Sequence, residues 1–206
     1  MTVLAELVVE SPVEPWERLG LDVSLGAVRL GAVVVRFVPG NRGIVAWGLN
    51  GLPDEQCSGT DIDGLSTYAV TAPPVAGDAH RMHVVSFDHV VISTSSLERT
   101  CGAIEAATGA PLKRIREAGP VRQGFHRMGE AVIEVVESSM AVGDTATFWG
   151  LVWNVADLDA LCERLGPSVI SPAKDAVQPG RRIATVRAEV GLGVSVALMT
   201  PPPARA

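Results

Sequence analysis

FDHVVISTSSLERT, residues 87–100, is the stretch on which the reading of this chain turns. It begins as a strand. Phe87, His89, Val91 and Ser93 alternate with Asp88, Val90 and Ile92, and a period of two puts the two sets on opposite faces. The period then changes. Leu97, Cys101, Ile104 and Thr108 or Ala107 mark the apolar stripe of a helix. Ser95 and Glu98 stand at capping-box spacing before it, and Gly109 lies just past its end. PLKRIREA (111–118), RQGFHRM (122–128) and EAVIEVVE (130–137) follow as three strands, with Met128-Gly129-Glu130-Ala131 as a tight hairpin turn. In the last strand Val132, Glu134 and Val136 share a face. If it pairs with the opening strand, His89 and Glu134 meet across the sheet.

The same order recurs further on. TFWGLVWNV (147–155) is a strand and ADLDALCERLG (156–166) a helix carrying Leu158, Cys162 and Leu165. That triplet repeats the spacing of Leu97, Cys101 and Ile104, 61 positions later. A match running through strand, connection and helix points to duplication. RRIATVRAEV (181–190) and VSVALMT (194–200) supply later strands, joined by the turn Gly191-Leu192-Gly193. The offset places Gly150 where His89 stands, and the strand pattern places Ala197 where Glu134 stands. One copy carries two ligand-type side chains and the other carries none. A shorter copy opens the chain: strand 2–11, helix 13–20 and strands 26–31, 32–40 and 43–50, with Glu6 at the place of His89 and Ala46 near that of Glu134. Residues 51–83, rich in Gly, Pro, Asp and Ser, read as a surface connection. The expected organisation is therefore a degenerate unit over 1–50, a linker over 51–83, a unit over 84–138, a second over 139–200, and a tail over 201–206.

Composition narrows the function. Of 206 residues 47% are apolar and only 4% aromatic, so Val, Leu, Ile and Ala fill the core of a globular α+β protein. A net charge of −6 leaves no footprint for nucleic acid. No apolar run is long enough to span a membrane, and the N-terminus lacks a basic leader. Cys57, Cys101 and Cys162 are an odd count without CxxC spacing, which fits reduced thiols in a cytoplasmic protein. No GxGxxG, GKS/T, GxSxG or HExxH motif is present.

A strand-helix-three-strand unit, repeated, with His in its first strand and Glu in its last, resembles the vicinal oxygen chelate superfamily. FDHVVISTSSLERT looks like that family's opening strand and helix, and GEAVIEVVE (129–137) like its closing strand. The superfamily holds glyoxalase-like lyases, epimerases, extradiol dioxygenases and bleomycin-resistance-type binding proteins. The resemblance implies βαβββ units that form curved mixed sheets with helices outside. It also implies a cup in which paired units hold a divalent metal (Zn, Fe, Mn or Ni), with His89 and Glu134 as ligands. Glu134 is then also the candidate catalytic base.

Two ligands fall short of a catalytic metal site, which has three or more. Glu6 and His126 are the candidates to complete it. A two-residue turn at Gly129-Glu130 pairs Phe125 with Glu134 and sends His126 to the opposite face, whereas one more residue reverses that. Two functions stay open: a metal-dependent lyase, isomerase or dioxygenase acting on a small oxygenated metabolite, and a metal-free protein that sequesters a small molecule. In the second, Gly150 and Ala197 widen the pocket. Glu134 also has a structural alternative, an ion pair with Arg127 or another strand arginine. Trp149 and Trp153, sharing a face with Leu151, read as sheet-to-helix core. Of Arg181, Arg182 and Arg187, one fork suits a substrate carboxylate or phosphate. An odd number of units suggests a homodimer in which the unpaired unit meets its counterpart.

Overall fold

In chain order the elements are β1 (Val3–Glu10), α1 (Glu14–Leu19), β2 (Ala27–Leu30), β3 (Val33–Val38), β4 (Gly43–Asn50), β5 (Thr60–Ile62), β6 (Leu65–Ala69), β7 (Val84–Thr94), α2 (Leu97–Thr108), β8 (Arg114–Ala118), β9 (Val121–Met128), β10 (Ala131–Glu137), β11 (Thr147–Val155), α3 (Leu158–Leu165), β12 (Lys174–Asp175), β13 (Arg182–Thr185) and β14 (Ser195–Met199). The computed structural model describes residues 1–52, 59–72, 76–77, 80–119, 121–139, 141 and 143–203. Cys57 lies outside the described residues.

The strands form two mixed sheets. One runs β2-β3-β1-β4-β6-β5, the other β12-β13-β14-β11-β7-β10-β9-β8. In the larger sheet the opening strand β7 pairs parallel with the closing strand β10, and β11 pairs parallel with β14. The two opening strands β7 and β11 then pair antiparallel at the centre. The expected 84–138 and 147–199 repeats therefore join within one chain, and this sheet requires no second copy to complete it.

Helix α2 forms where its stripe predicts: Leu97, Cys101, Ile104, Ala107 and Thr108 are buried, and Gly109 closes the helix at φ 68°. The cap sits one residue later than the capping-box spacing suggests, because Ser96, not Ser95, accepts the Arg99 N–H. Helix α3 is capped by Asp157 and buries Leu158 and Leu161, with Cys162 and Leu165 half-buried. One apolar core runs between the helices and both sheets. Trp47 of β4 meets Phe148 of β11 edge-on at 5.4 Å between ring centroids, which ties the sheets face to face.

The N-terminal half departs from the single short unit that its sequence suggests. Residues 60–69, expected within a surface connection, form β5 and β6 and extend the six-stranded sheet. Strand β4 does not close the first unit. It pairs antiparallel with β1, as β11 does with β7, and then parallel with β6. Parallel pairing to β1 belongs to β3. The smaller sheet thus has the same central pair and the same parallel flanks as the larger one.

Candidate functional site

The eight-stranded sheet curls until strands from both of its ends line one cavity of about 870 Å³: Arg116 comes from β8, and Lys174 and Asp175 from β12. His89, Glu134, Gly150 and Ala197 all line it. The strand register explains why. Across β7 and β11, Val91 faces Gly150, Val90 faces Leu151 and His89 faces Val152. The local two-fold axis therefore passes through the Val90–Leu151 pair and relates His89 to Gly150. Glu134 lies beside Val91 and Ala197 beside Val152, so the same axis relates Glu134 to Ala197. Half a ligand set on one side of the axis faces glycine and alanine on the other.

His89 and Glu134 do come together, with Nε2 3.5 Å from Oε2. Each is fixed from behind. His89 Nδ1 lies 2.7 Å from Oδ1 of Asp88, and Arg181 Nη2 donates to Asp88 Oδ2 at 2.6 Å. Burial alone would push the Asp88 carboxyl up, but the bonds from His89 and Arg181 outweigh it and hold it well below the ordinary carboxylate range. With Asp88 ionised, Nδ1 carries a hydrogen and donates to it, so in the neutral ring Nε2 is the bare nitrogen facing the cavity. Arg181 also donates to Asn154 Oδ1 and, through Nε at 2.9 Å, to the Thr200 carbonyl. Gln123 Nε2 donates to Glu134 Oε1, and Arg116 donates to Gln123 Oε1. Oε2 of Glu134 is thereby turned toward His89. Arg127 takes no part, so the structural ion pair considered for Glu134 does not form among the described residues.

A β-bulge makes the Asp88–His89 contact possible. Phe87 pairs with Trp153 and His89 with Val152, leaving Asp88 as an extra residue on β7. The insertion moves Phe87 into the core, off the face it would share with His89, and brings Asp88 to the site side with Ser86. A second bulge leaves Trp149 unpaired on β11. Trp149 is 60% exposed and lines the cavity, whereas Trp153 is fully buried. The core role expected from alternation holds for Trp153 and fails for Trp149. Bulges escape periodicity because one inserted residue reverses every face beyond it.

The other two candidates do not reach the pair. His126 sits on β9 opposite Ile133, the outcome of the two-residue turn at Gly129-Glu130. It is buried on the helix side, with Nδ1 2.9 Å from the Ala110 carbonyl oxygen and Nε2 without a partner among the described residues. Glu6 lies in the other sheet. In β1 and β4, Val8 faces Ala46, Leu7 faces Trp47 and Glu6 faces Gly48. Arg36 lies beside Val8 and Tyr68 beside Gly48. Glu6, Arg36, Ala46 and Tyr68 thus occupy the places that His89, Glu134, Gly150 and Ala197 hold in the larger sheet. They form a closed cluster: Arg36 pairs with Glu6 and donates to the Tyr68 hydroxyl at 3.1 Å. Burial, and then Glu6, push the Tyr68 phenol up to about 12. Glu6 was rightly aligned with His89 in sequence, but it belongs to a second centre filled by a guanidinium. Ala46 corresponds to Gly150, not to Glu134.

The donor set falls short of a resident divalent metal. His89 and Glu134 present one nitrogen and one oxygen toward a common point, while Gly150 and Ala197 offer nothing. Among the described residues no group of three or more His, Cys, Asp or Glu side chains is placed to hold an ion. Glycine at 150 is also demanded by packing. A Cβ there would stand 2.8 Å from the Ser195 carbonyl oxygen, so the residue serves the close β11–β14 contact. Of the strand arginines, Arg181 is in the site, Arg182 pairs with Asp159, and Arg187 bonds the Pro167 carbonyl. Cys101 and Cys162 are free thiols away from the cavity lining. Among the described residues no helix is long and apolar enough to cross a membrane.

No family model matches the chain, and no curated protein matches it. Solved structures do. A mutant 4-hydroxymandelate synthase from Streptomyces coelicolor aligns over 99% of this chain and 94% of its own, with a TM-score of 0.68 at 14% identity. Methylmalonyl-CoA epimerase from Mycobacterium tuberculosis aligns over 60% of this chain and 97% of its own, with a TM-score of 0.48 at 21% identity. The Streptomyces coelicolor epimerase, solved with 2-nitronate-propionyl-CoA, aligns over 57% and 97%, with a TM-score of 0.48 at 18% identity. At 14% identity the likeness to the synthase shows the fold alone: βαβββ units in curved mixed sheets, a glyoxalase-like fold.

Proposed function

We propose, on the premise of that fold, that the larger sheet is the working half and that its cavity binds a small oxygenated metabolite for proton transfer. The reaction class is a lyase or isomerase step at a carbon next to a carbonyl. The observation that carries this reading is the His89–Glu134 pair, Nε2 to Oε2 at 3.5 Å, on the wall of a cavity large enough for a small metabolite. Two titratable groups within reach of one substrate atom can divide the work. One takes the proton from carbon, leaving an enolate. That proton passes to the other, which returns it to carbon or exchanges it with solvent.

The network assigns the roles. Glu134, fixed through Oε1 by Gln123, offers Oε2 as base. His89, fixed through Nδ1 by Asp88, offers Nε2 as the partner that relays the proton. Val152, Val196, Ala197 and Met199 give the cavity an apolar stretch beside the pair that suits a carbon skeleton. Among the described residues no third His, Cys, Asp or Glu side chain is grouped with the pair to hold an ion, and the roles assigned to His89 and Glu134 are those of the side chains themselves.

Hydrogen–deuterium exchange in D₂O tests it. The probes are 2-oxobutyrate, acetoin and a methylmalonyl thioester, followed by loss of the carbon-bound proton signal. The reading expects enzyme-dependent exchange with at least one probe class and a fall of about 10²-fold or more in Glu134→Gln. Exchange that is equal in Glu134→Gln and the parent protein removes it.

A further inference from the structure

The repeat that lost both ligand positions still supplies the buried cation behind the one that kept them. Arg181 precedes β13, in the half of the sheet that carries Gly150 and Ala197. It is 7% exposed, and its guanidinium reaches Asp88 on β7, Asn154 on β11 and the Thr200 carbonyl just past β14. Asn154 in turn donates to Ser86 Oγ at 2.8 Å. A planar fork suits this arrangement, because three acceptors on three separate strands are met at fixed angles.

We infer that Arg181 is a positioning residue that fixes the tautomer of His89. The argument runs through Asp88. Asp88 is the extra residue of the bulge, so backbone pairing alone does not fix its carboxylate. Arg181 takes Oδ2 and leaves Oδ1 aimed at His89 Nδ1. An ionised oxygen there accepts a hydrogen and cannot donate one, so the ring hydrogen sits on Nδ1 and Nε2 stays bare. A histidine free in water prefers the opposite tautomer, with the hydrogen on Nε2. That form would point an N–H at Glu134 and could not accept a proton from the cavity side. This inference rests on the proton-transfer reading for its purpose, while the tautomer itself is a separate observable.

The test is nitrogen-15 NMR of the full-length protein labelled at histidine, measured where the His89 ring is neutral. The His89 signals are assigned by their loss in His89→Gln. The inference expects the Nδ1–H form in the parent protein, a shift toward Nε2–H in Arg181→Met, and retention of Nδ1–H in Arg181→Lys, which keeps a charge beside Asp88. If Arg181→Met does not fold, Asp88→Asn removes the ionised acceptor directly, and the same shift toward Nε2–H is expected. A parent protein with Nε2–H, or an unchanged tautomer in the folded Arg181→Met or Asp88→Asn variant, overturns the inference. Exchange activity read on the same samples separates the two readings. The expected tautomer with no exchange on any probe removes the proposed reaction and leaves Arg181 in its place.

Discussion

Gly150 lies against Ser195 so closely that a single added carbon would stand 2.8 Å from the Ser195 carbonyl oxygen. Position 150 is the two-fold counterpart of His89, so the same register that builds one half-site forbids its mirror image. Gly150→Ala is expected to cost about 1–3 kcal/mol, because β14 must move to admit the Cβ. Denaturant midpoints for Gly150→Ala and, as a control, Gly102→Ala check this. Gly102 has open space for a Cβ, and a helical glycine replaced by alanine should be neutral or stabilising.

Ala197 faces the opposite test. It lines the cavity at the counterpart of Glu134 and is half-buried. Ala197→Glu adds a carboxylate at the two-fold counterpart of Glu134, in the cavity that holds His89 and Glu134. The variant is expected to bind Zn²⁺ about tenfold or more tightly than the parent protein in equilibrium dialysis, since three donors suit an ion where two do not. Equal affinity would show that the two half-sites do not converge on one point.

His126 predicts a pH dependence of stability. Burial pulls its imidazole below the ordinary 6.5, and the bond at the Ala110 carbonyl offsets only part of that. The unfolded chain therefore takes up the proton first. Stability from this residue is complete above pH 6.5 and is lost as pH falls through that value toward the lower folded one. Guanidinium unfolding from about pH 8 to about pH 5 should show a steeper loss in the parent protein than in His126→Gln. Parallel curves would contradict the assignment.

Arg36 is expected to matter for folding and not for exchange chemistry. Its removal leaves the buried Glu6 carboxylate without a cation. Arg36→Met should cost about 1–3 kcal/mol, toward the lower end because the Arg36 side chain is 40% exposed. The double variant with Glu6→Gln should cost less than the two single changes added together. Both variants should retain the exchange activity of the larger sheet.

Much of this was legible from the amino-acid order. The switch from period two to a helical stripe at residues 87–108 locates β7 and α2, and the 61-residue offset finds Gly150, the two-fold counterpart of His89. Glu134 was found because alternation along EAVIEVVE and the resemblance to a closing strand place it across the sheet from His89. What escaped was set by single-residue geometry. The Asp88 bulge that brings Asp88, and through it Arg181, to the site has no signature in the sequence, and the Trp149 bulge reversed an alternation that otherwise held. The N-terminal strands misled because β4 reads equally well as a closing or an opening strand. Only its antiparallel pairing with β1 decides.

The most direct measurement is the exchange assay repeated with and without a strong chelator. The account predicts that proton exchange by the parent protein is unchanged by chelation and by added Zn²⁺, Fe²⁺, Mn²⁺ or Ni²⁺, and is lost in Glu134→Gln. Exchange abolished by the chelator and restored by one of these ions would contradict it, because the cavity would then assemble a metal centre from donors beyond His89 and Glu134.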